Sequence, residues 1–459
     1  MNTTMNATPS GSKHPPGLYL LFFTEMWERF SFYGMRALLT LYLTTALISG
    51  GLGFNEATAL SIYGFYTGAS YFTPMIGGYL SDRFIGQRFA VTLGGILMAL
   101  GNFALFAMHS QTGLYLGLAL LIAGNGFFKP NISTLVGELY GEKDDRRDSA
   151  FTIFYMGINI GAFLAPLVCG FLAEDMFKTT VDGVVHFGFR YGFLAASLGM
   201  VIGQIIFNTL GNRYLGDIGK KKVKAVNIAG TEKSRAPLTP AEKKRTAVIL
   251  IITCFVVFFW AGFEQAGSSL TLYTDKFVDR DLMGWTVPTS WFQSVNPLFI
   301  ILFAPLISLL WVKLGRSRKG DLPIPTKMAL GMIMLGLGYM VLLMAVMKTG
   351  GNEQEITYRA NMLFIVFTYF LHTMGELFLS PVGLSMVSRL APIKIASLLM
   401  GVWFASTGVA NILGGQLAAV TQSLGYFDVF LIIGAAAIFM GIVLLALSKR
   451  LVLMSGCKV

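Results

Sequence analysis

Seven ionisable side chains stand in stretches of sequence that are otherwise apolar: Glu25, Glu28, Arg29, Arg36, Lys129, Glu264 and Glu376. A charge at the centre of a membrane-spanning helix costs about 2.5–3.5 kcal/mol on insertion scales, so such residues face a wet cavity and pair with one another. The densest group is Glu25-Met-Trp-Glu28-Arg29-Phe-Ser-Phe32-Tyr33-Gly-Met-Arg36. At helical spacing, Glu25, Arg29, Tyr33 and Arg36 share one face. Glu25 and Arg29 could form a self-neutralising salt bridge, but two carboxylates beside one arginine exceed what neutralisation needs. A carboxylate crowded in this way can exchange a proton near neutral pH.

Arg36 and Lys129 have the chemistry to hold a carboxylate, Arg36 by a bidentate fork and Lys129 as a point charge. Glu376 has the chemistry to hold an amine. In an empty cavity Glu264 can pair with Arg36, and Lys129 with Glu376. Such exchangeable pairs can act as gates, because breaking one on one side accompanies making one on the other; the alternative is static bundle glue. The seven charges are three positive and four negative. One proton makes the set neutral, which suits a cavity that moves a proton together with a zwitterion. His372, one turn before Glu376, is read as a packing residue rather than a proton relay. Tyr33, Tyr63, Tyr66, Tyr71, Tyr155, Trp260, Trp403, Asn159, Asn296 and Gln293 bring polar tips into apolar stretches, as the wall of a ligand pocket requires.

The elements that must position these residues are membrane helices. The chain is 54% hydrophobic and 13% charged over 459 residues, against about 25% charged for a soluble protein. A spanning helix needs about 20 apolar residues. Candidate spans fall at 17–48, 55–80, 89–108, 112–136, 150–173, 190–210, 246–273, 288–312, 327–347, 358–388, 397–420 and 425–448. With the N-terminus placed in the cytoplasm, 26 of the 35 Lys and Arg fall in cytoplasmic segments, 6 fall outside and 3 inside spans. That bias predicts both termini in the cytoplasm. It also accounts for the net charge of +11 without nucleic acid. The three cysteines, Cys169, Cys254 and Cys457, form no disulfide or metal pattern. No nucleophile–base set or His/carboxylate metal spacing points to an enzyme, and no cofactor is expected beyond the proton gradient.

The predicted units are a tail at 1–16, a six-helix bundle at 17–210, a linker at 211–245, a second bundle at 246–448 and a tail at 449–459. The linker ends in Thr239-Pro240-Ala-Glu242, which reads as a capped helix start. The halves echo each other. Phe127-Phe128-Lys129-Pro130 in span four matches Phe378-Leu379-Ser380-Pro381 in span ten, and Tyr155…Asn159 matches Trp403…Thr407. Asp82-Arg83…Gly86-Gln-Arg88 after span two matches Gly315-Arg316-Ser-Arg318 after span eight. This organisation resembles the major facilitator superfamily: an all-α membrane fold of 12 helices in two six-helix bundles, with the substrate site at the midplane between them.

More specific motifs resemble the proton-dependent oligopeptide transporters, across the whole chain. Glu25-x-x-Glu28-Arg29-Phe30 matches the ExxERF signature of that family, and Phe154-Tyr155…Ile158-Asn159…Gly161 its FYxxINxG signature. Gly126-Phe-Phe-Lys129-Pro130-Asn131, Phe263-Glu264-Gln265, Trp291-Phe-Gln293-Ser-Val-Asn296-Pro297 and Gly375-Glu376…Ser380-Pro381 look like further family motifs. The resemblance implies a bacterial symporter of di- and tripeptides in the inner membrane, functional as a monomer. It implies proton coupling by Glu25, Glu28 and Arg29, with Glu264 as a further candidate. It places Arg36, Lys129 and Tyr71 at the peptide carboxylate, Asn159, Asn296 and Glu376 at the amine, and Tyr33 and Trp403 along the cavity. Three features depart from the family: Phe32 stands where a tyrosine is usual, the 211–245 break leaves no room for extra helices, and Gly64 stands where animal members carry a histidine. A transporter of the same fold for nitrate or a small organic acid is the main rival, and a proton/drug antiporter or a non-transporting nutrient sensor the others.

Overall fold

The computed structural model describes residues 13–140, 144, 146–220, 238–317, 320–350, 358–392 and 395–456. Most of the predicted linker and both ends of the predicted tails lie outside the described residues. The long helices are α1 (Pro16–Thr44), α2 (Glu56–Leu80), α3 (Gln87–Ala107), α4 (Gln111–Glu138), α5 (Arg146–Phe171) and α6 (Phe189–Leu215) in the first half. The second half holds α7 (Pro240–Phe263), which runs through a short turn into α8 (Ser269–Phe277), then α9 (Val295–Gly315), α10 (Ile324–Thr349), α11 (Leu363–Leu390), α12 (Ala396–Ala419) and α13 (Thr421–Ser455). Six strands of two or three residues form only small ribbons at the loops.

Ten helical stretches among the described residues have the length and hydropathy to cross a membrane. The remaining two, α1 and α2, are long enough at 29 and 25 residues. They fall short in hydropathy because α1 carries four charges and α2 is rich in Tyr, Thr, Ser and Gly. With α7 and α8 taken as one span, twelve crossings result. The helices overrun the apolar stretches at several ends. At α7 the start is fixed by a capping box, with the Glu242 amide donating to the Thr239 hydroxyl at 3.2 Å and the Thr239 amide to the Glu242 carboxylate at 2.7 Å.

Two bundles repeat one packing plan. In the first, α1 packs on α5 and α6, α3 on α4 and α6, and α2 on α4. In the second, α7 packs on α12 and α13, α10 on α11 and α13, and α9 on α11. Each neighbour pair of one half thus recurs six crossings later, which is the arrangement of a parallel repeat. The proline echo is structural too: Pro130 and Pro381 lie inside α4 and α11, where a proline removes a backbone hydrogen bond and bends the helix.

The bundles meet through two pairs, α2 with α12 and α5 with α9. The first pair is close along its length. A Cβ at Gly64 would stand 2.6 Å from the Gly415 Cα, and one at Gly68 2.9 Å from the Gly408 carbonyl. At the second pair the turn that leads into α9 is bonded to α5: the Trp291 indole donates to the Leu167 carbonyl (3.0 Å) and the Ser294 hydroxyl to the Phe163 carbonyl (2.8 Å). Further cross-bundle bonds cluster at this face, away from the chain termini: Thr40 to the Gly267 carbonyl at 2.6 Å, Lys276 paired with Glu56, and Tyr426 to Glu56 at 3.1 Å. The bundles are therefore joined at the face opposite the termini and parted toward the termini.

The backbone contact at Gly64 leaves no room for a side chain. Gly64→Ala must push α2 from α12, at the cost of about 1–3 kcal/mol typical of overpacking. A lowered thermal midpoint of the purified protein in detergent is the expected outcome; an unchanged midpoint would contradict the packing described.

Candidate functional site

Between the bundles lies a cavity of about 370 Å³, within the range of small-molecule sites. Its wall brings together Tyr33 and Arg36 of α1, Tyr71 of α2, Lys129 of α4, Asn159 of α5, Glu264 after α7, Asn296 of α9, Glu376 of α11 and Trp403 of α12. The residues come from both bundles because α1, α4 and α5 face α9, α11 and α12 across the gap. Tyr155 and Phe404, in the termini-side halves of α5 and α12, line the cavity and are still 46% and 47% exposed. The cavity thus opens toward the termini face.

Its closed end is an ion pair between bundles. The Arg36 guanidinium pairs with Glu264, side chains only 12% and 6% exposed. Its Nε donates to the Tyr63 hydroxyl at 2.6 Å, and its guanidinium carbon lies 5.8 Å from the Tyr33 and Tyr63 ring centroids. The pair fastens α1 to the turn after α7, one turn before the bond from Thr40 to the Gly267 carbonyl.

The second expected pair does not form. The Lys129 ammonium sits 4.5 Å from the centroid of the Tyr71 ring, and the Glu376 carboxylate accepts from the Asn296 amide at 2.9 Å. The physical reason is the open termini face: α4 and α11 pack within separate bundles that are parted there. With Arg36 and Glu264 neutralising each other, the cavity keeps one cation and one carboxylate without ion-pair partners among the described residues. They stand on opposite walls. Asn296 also donates to the Thr373 hydroxyl at 3.0 Å, so its amide is held in one orientation toward Glu376.

Glu25, Glu28 and Arg29 lie outside the cavity wall as a buried cluster of their own. Arg29 Nε is 3.1 Å from Glu25 and also bonds to Glu28. One guanidinium thus serves two carboxylates, and Glu25 Oε2, Glu28 Oε1 and Arg29 Nη2 have no hydrogen-bond partners among the described residues. Lys129 stands in the electrostatic field of both carboxylates, which links this cluster to the cavity. Phe32 supplies a ring in place of the missing hydroxyl: the Arg29 guanidinium carbon lies 5.3 Å from its centroid, and it stacks on Tyr66 at 6.3 Å.

The wall runs along two whole helix faces, on which Tyr369, Leu379, Ala162 and Pro166 join residues already named from the sequence. On α11, Tyr369, His372, Glu376, Leu379 and Ser380 all face the cavity; on α5, Tyr155, Ile158, Asn159, Ala162 and Pro166 do. Both sets follow the three- and four-residue spacing of one helix face. The signal was present, anchored on Glu376 and Asn159. His372 is buried at the back of this wall, with its ring 4.9 Å from that of Tyr339 and a Cβ at Gly338 only 2.5 Å from its Cδ2. That placement is a packed one.

Removing one partner of a buried ion pair leaves an uncompensated charge and costs about 3–5 kcal/mol, whereas apolar replacement of both is close to neutral. Glu264→Ala is expected to lower the thermal midpoint strongly, and Arg36→Met with Glu264→Met to recover most of it. Equal losses in the single and double variants would show that the contact is not the source of the stability.

A family model described as the POT family matches residues 88–224 and 220–427. Among curated relatives, the uncharacterized transporter YclF of Bacillus subtilis (strain 168) is 35% identical, with 95% of this chain and 94% of the relative covered. Peptide transporter YePEPT of Yersinia enterocolitica subsp. palearctica serotype O:3 (strain YE-P4) is 34% identical over 91% of this chain and 90% of its own. Among solved structures, a mutant of peptide transporter POT in complex with alafosfalin superimposes with a TM-score of 0.86 at 35% identity, covering 96% of both chains.

Proposed function

The chain belongs to the POT family, and from that premise we propose that it is a proton-coupled symporter that brings di- and tripeptides into the cell. The observation that carries the reading is the charge left over in the cavity once Arg36 and Glu264 have paired. Lys129 on one bundle and Glu376 on the other form a dipole-shaped receptor that a zwitterion of peptide length complements. The peptide carboxylate goes to Lys129, beside Tyr71, and to Arg36 when its pair opens. The amine goes to Glu376, oriented by Asn296, with Asn159 on the facing helix; Tyr33 and Trp403 form the walls. Holding both termini leaves the side chains to the apolar surface of Ile158, Pro297, Ile300 and Phe404. A peptide relative and an alafosfalin-bound structure at 34% and 35% identity support the substrate class.

The termini face is the cytoplasmic one, by the 26 to 6 bias of Lys and Arg. The arrangement described above is then open to the cytoplasm and closed to the outside. Transport proceeds by alternating access, with the bundles rocking about the continuous α2–α12 contact. Opening outside breaks Arg36–Glu264; closing inside brings α4 and α11 together, so that Lys129 and Glu376 can exchange partners.

Protons couple through Glu25, Glu28 and Arg29. Three charges in a dry site sum to −1, and one proton neutralises them. Lys129 favours the ionised carboxylates through its field. A peptide carboxylate bound to Lys129 cancels that field, so peptide and proton favour each other's binding, reciprocally by linkage. Glu264 is a second place where a proton can release a pair. Each chain encloses a whole cavity, which supports a monomeric unit in the inner membrane.

In proteoliposomes, dialanine is expected to accumulate under an inward proton gradient; absence of gradient-driven uptake across di- and tripeptides, with uptake of nitrate or an organic acid instead, would overturn the reading. N-acetylated dialanine should compete at least about tenfold less well, since a charged hydrogen bond is worth about 1.5–3 kcal/mol. Glu25→Gln or Glu28→Gln should abolish accumulation while peptide exchange at equal concentrations persists. Loss of both activities together would refute a role confined to coupling.

A further inference from the structure

The face of the molecule opposite the termini holds a buried carboxylate that the scheme above does not use. Glu174 lies in a π turn (Leu172–Met176) that continues α5. Its partners belong to the other bundle. The Thr289 amide donates to one carboxylate oxygen at 2.7 Å and the Ser290 amide to the other at 3.1 Å. These two residues start the 3-10 turn Thr289–Ser294 that leads into α9. The first amides of such a turn have no partners within it, and a carboxylate from the opposite bundle caps them with charge-assisted bonds. The fit is close: one turn earlier, a Cβ on Gly170 would stand 1.9 Å from the Ser290 hydroxyl.

No cation pairs with Glu174 among the described residues. Asp275 of α8 is nearby, but it accepts from the Thr289 hydroxyl at 2.8 Å and pairs with Arg280 at 3.0 Å. Arg280 is further held by the Val287 carbonyl at 2.8 Å. On the same turn, Asp175 accepts from the Trp285 indole at 3.0 Å. Beside the turn, Lys178 lies 5.9 Å from the Phe187 ring centroid. On α6, Arg190 donates to the Tyr191 hydroxyl at 2.8 Å. Ionised Glu174 is therefore held across the bundle boundary by two backbone amides.

We infer that Glu174 is a second closure residue of the outer face, a clasp that holds while its carboxylate is ionised and releases when it takes a proton. A carboxylate presents acceptors to both amides. A carboxylic acid gives up the charge and turns one oxygen into a donor and weaker acceptor, so both amides lose their charge-assisted bonds and the cross-bundle hold weakens. Acid outside then favours outward opening, in the direction that an inward proton gradient requires. The inference rests on the alternating-access reading, but its test reads conformation rather than uptake.

Spin labels at two exposed far-face positions, Leu47→Cys and Met283→Cys, on a Cys254→Ser, Cys457→Ser background, report the separation of the bundles by double electron–electron resonance. The otherwise unchanged protein is expected to give one short distance at pH 8 and a second, longer one at pH 5. Glu174→Gln, which resembles the protonated acid, should show the longer distance already at pH 8 and lose the pH response. Glu174→Asp, which withdraws the charge from the amides, should shift partly the same way, while Asp175→Asn leaves the pH response in place. A Glu174→Gln protein that keeps the short distance at pH 8, or whose pH response survives, would overturn the clasp. A shift in distances without peptide uptake would count against the substrate reading and leave the clasp standing.

Discussion

Charge taken out of water must be paired or given a wet surface, and both solutions are used here within a few turns of α1. Glu25, Glu28 and Arg29 are paired in a dry cluster. Arg36, seven residues past Arg29, is paired with a carboxylate that belongs to the other bundle. That pair is what makes the two bundles one molecule at the centre. The desolvation of two buried ions roughly cancels their attraction, so the contact adds little net stability while both partners are present. It is nevertheless costly to break one-sidedly.

The repeated packing plan gives two symmetric candidate interfaces, and the structure treats them differently. Glycines let α2 and α12 approach backbone to backbone along their length. Close approach of this kind is how membrane helices associate without a hydrophobic driving force between them. At α5 and the π turn after it, the cross-bundle bonds come from the turn before α9 and go largely to backbone groups. One interface is thus suited to act as an axis and the other as a mouth. The exposed cavity residues Tyr155 and Phe404 lie on the side where that mouth has parted.

The cavity's charge balance follows from this conformation rather than from composition. The same four residues, Arg36, Lys129, Glu264 and Glu376, can make two ion pairs or one. With the termini face open they make one, which leaves a cation and an anion without ion-pair partners among the described residues. Binding energy is available because the empty site is not self-satisfied. A site with both pairs made would have to break them first.

Much of this was legible in the residues themselves. Charges in apolar stretches named the cavity's polar groups, since lipid tolerates them nowhere else. Hydropathy set the number of the crossings, and Thr239-Pro240-Ala-Glu242 marked a helix start because capping is local chemistry. The helical stripes through Asn159 and Glu376 were available as well, since a helix face is a property of spacing alone. What spacing could not decide was which charge meets which. Arg36 and Glu264 are 228 residues apart, and Lys129 with Glu376 looked equally plausible; only the tilt of the bundles makes one contact and withholds the other. Glu174 gave no signal at all, because its partners are backbone amides, which every sequence has. The sequence by itself determined which groups lipid would force together; the tertiary structure decided their pairing, because that depends on the relative position of two rigid bundles to within the length of a hydrogen bond.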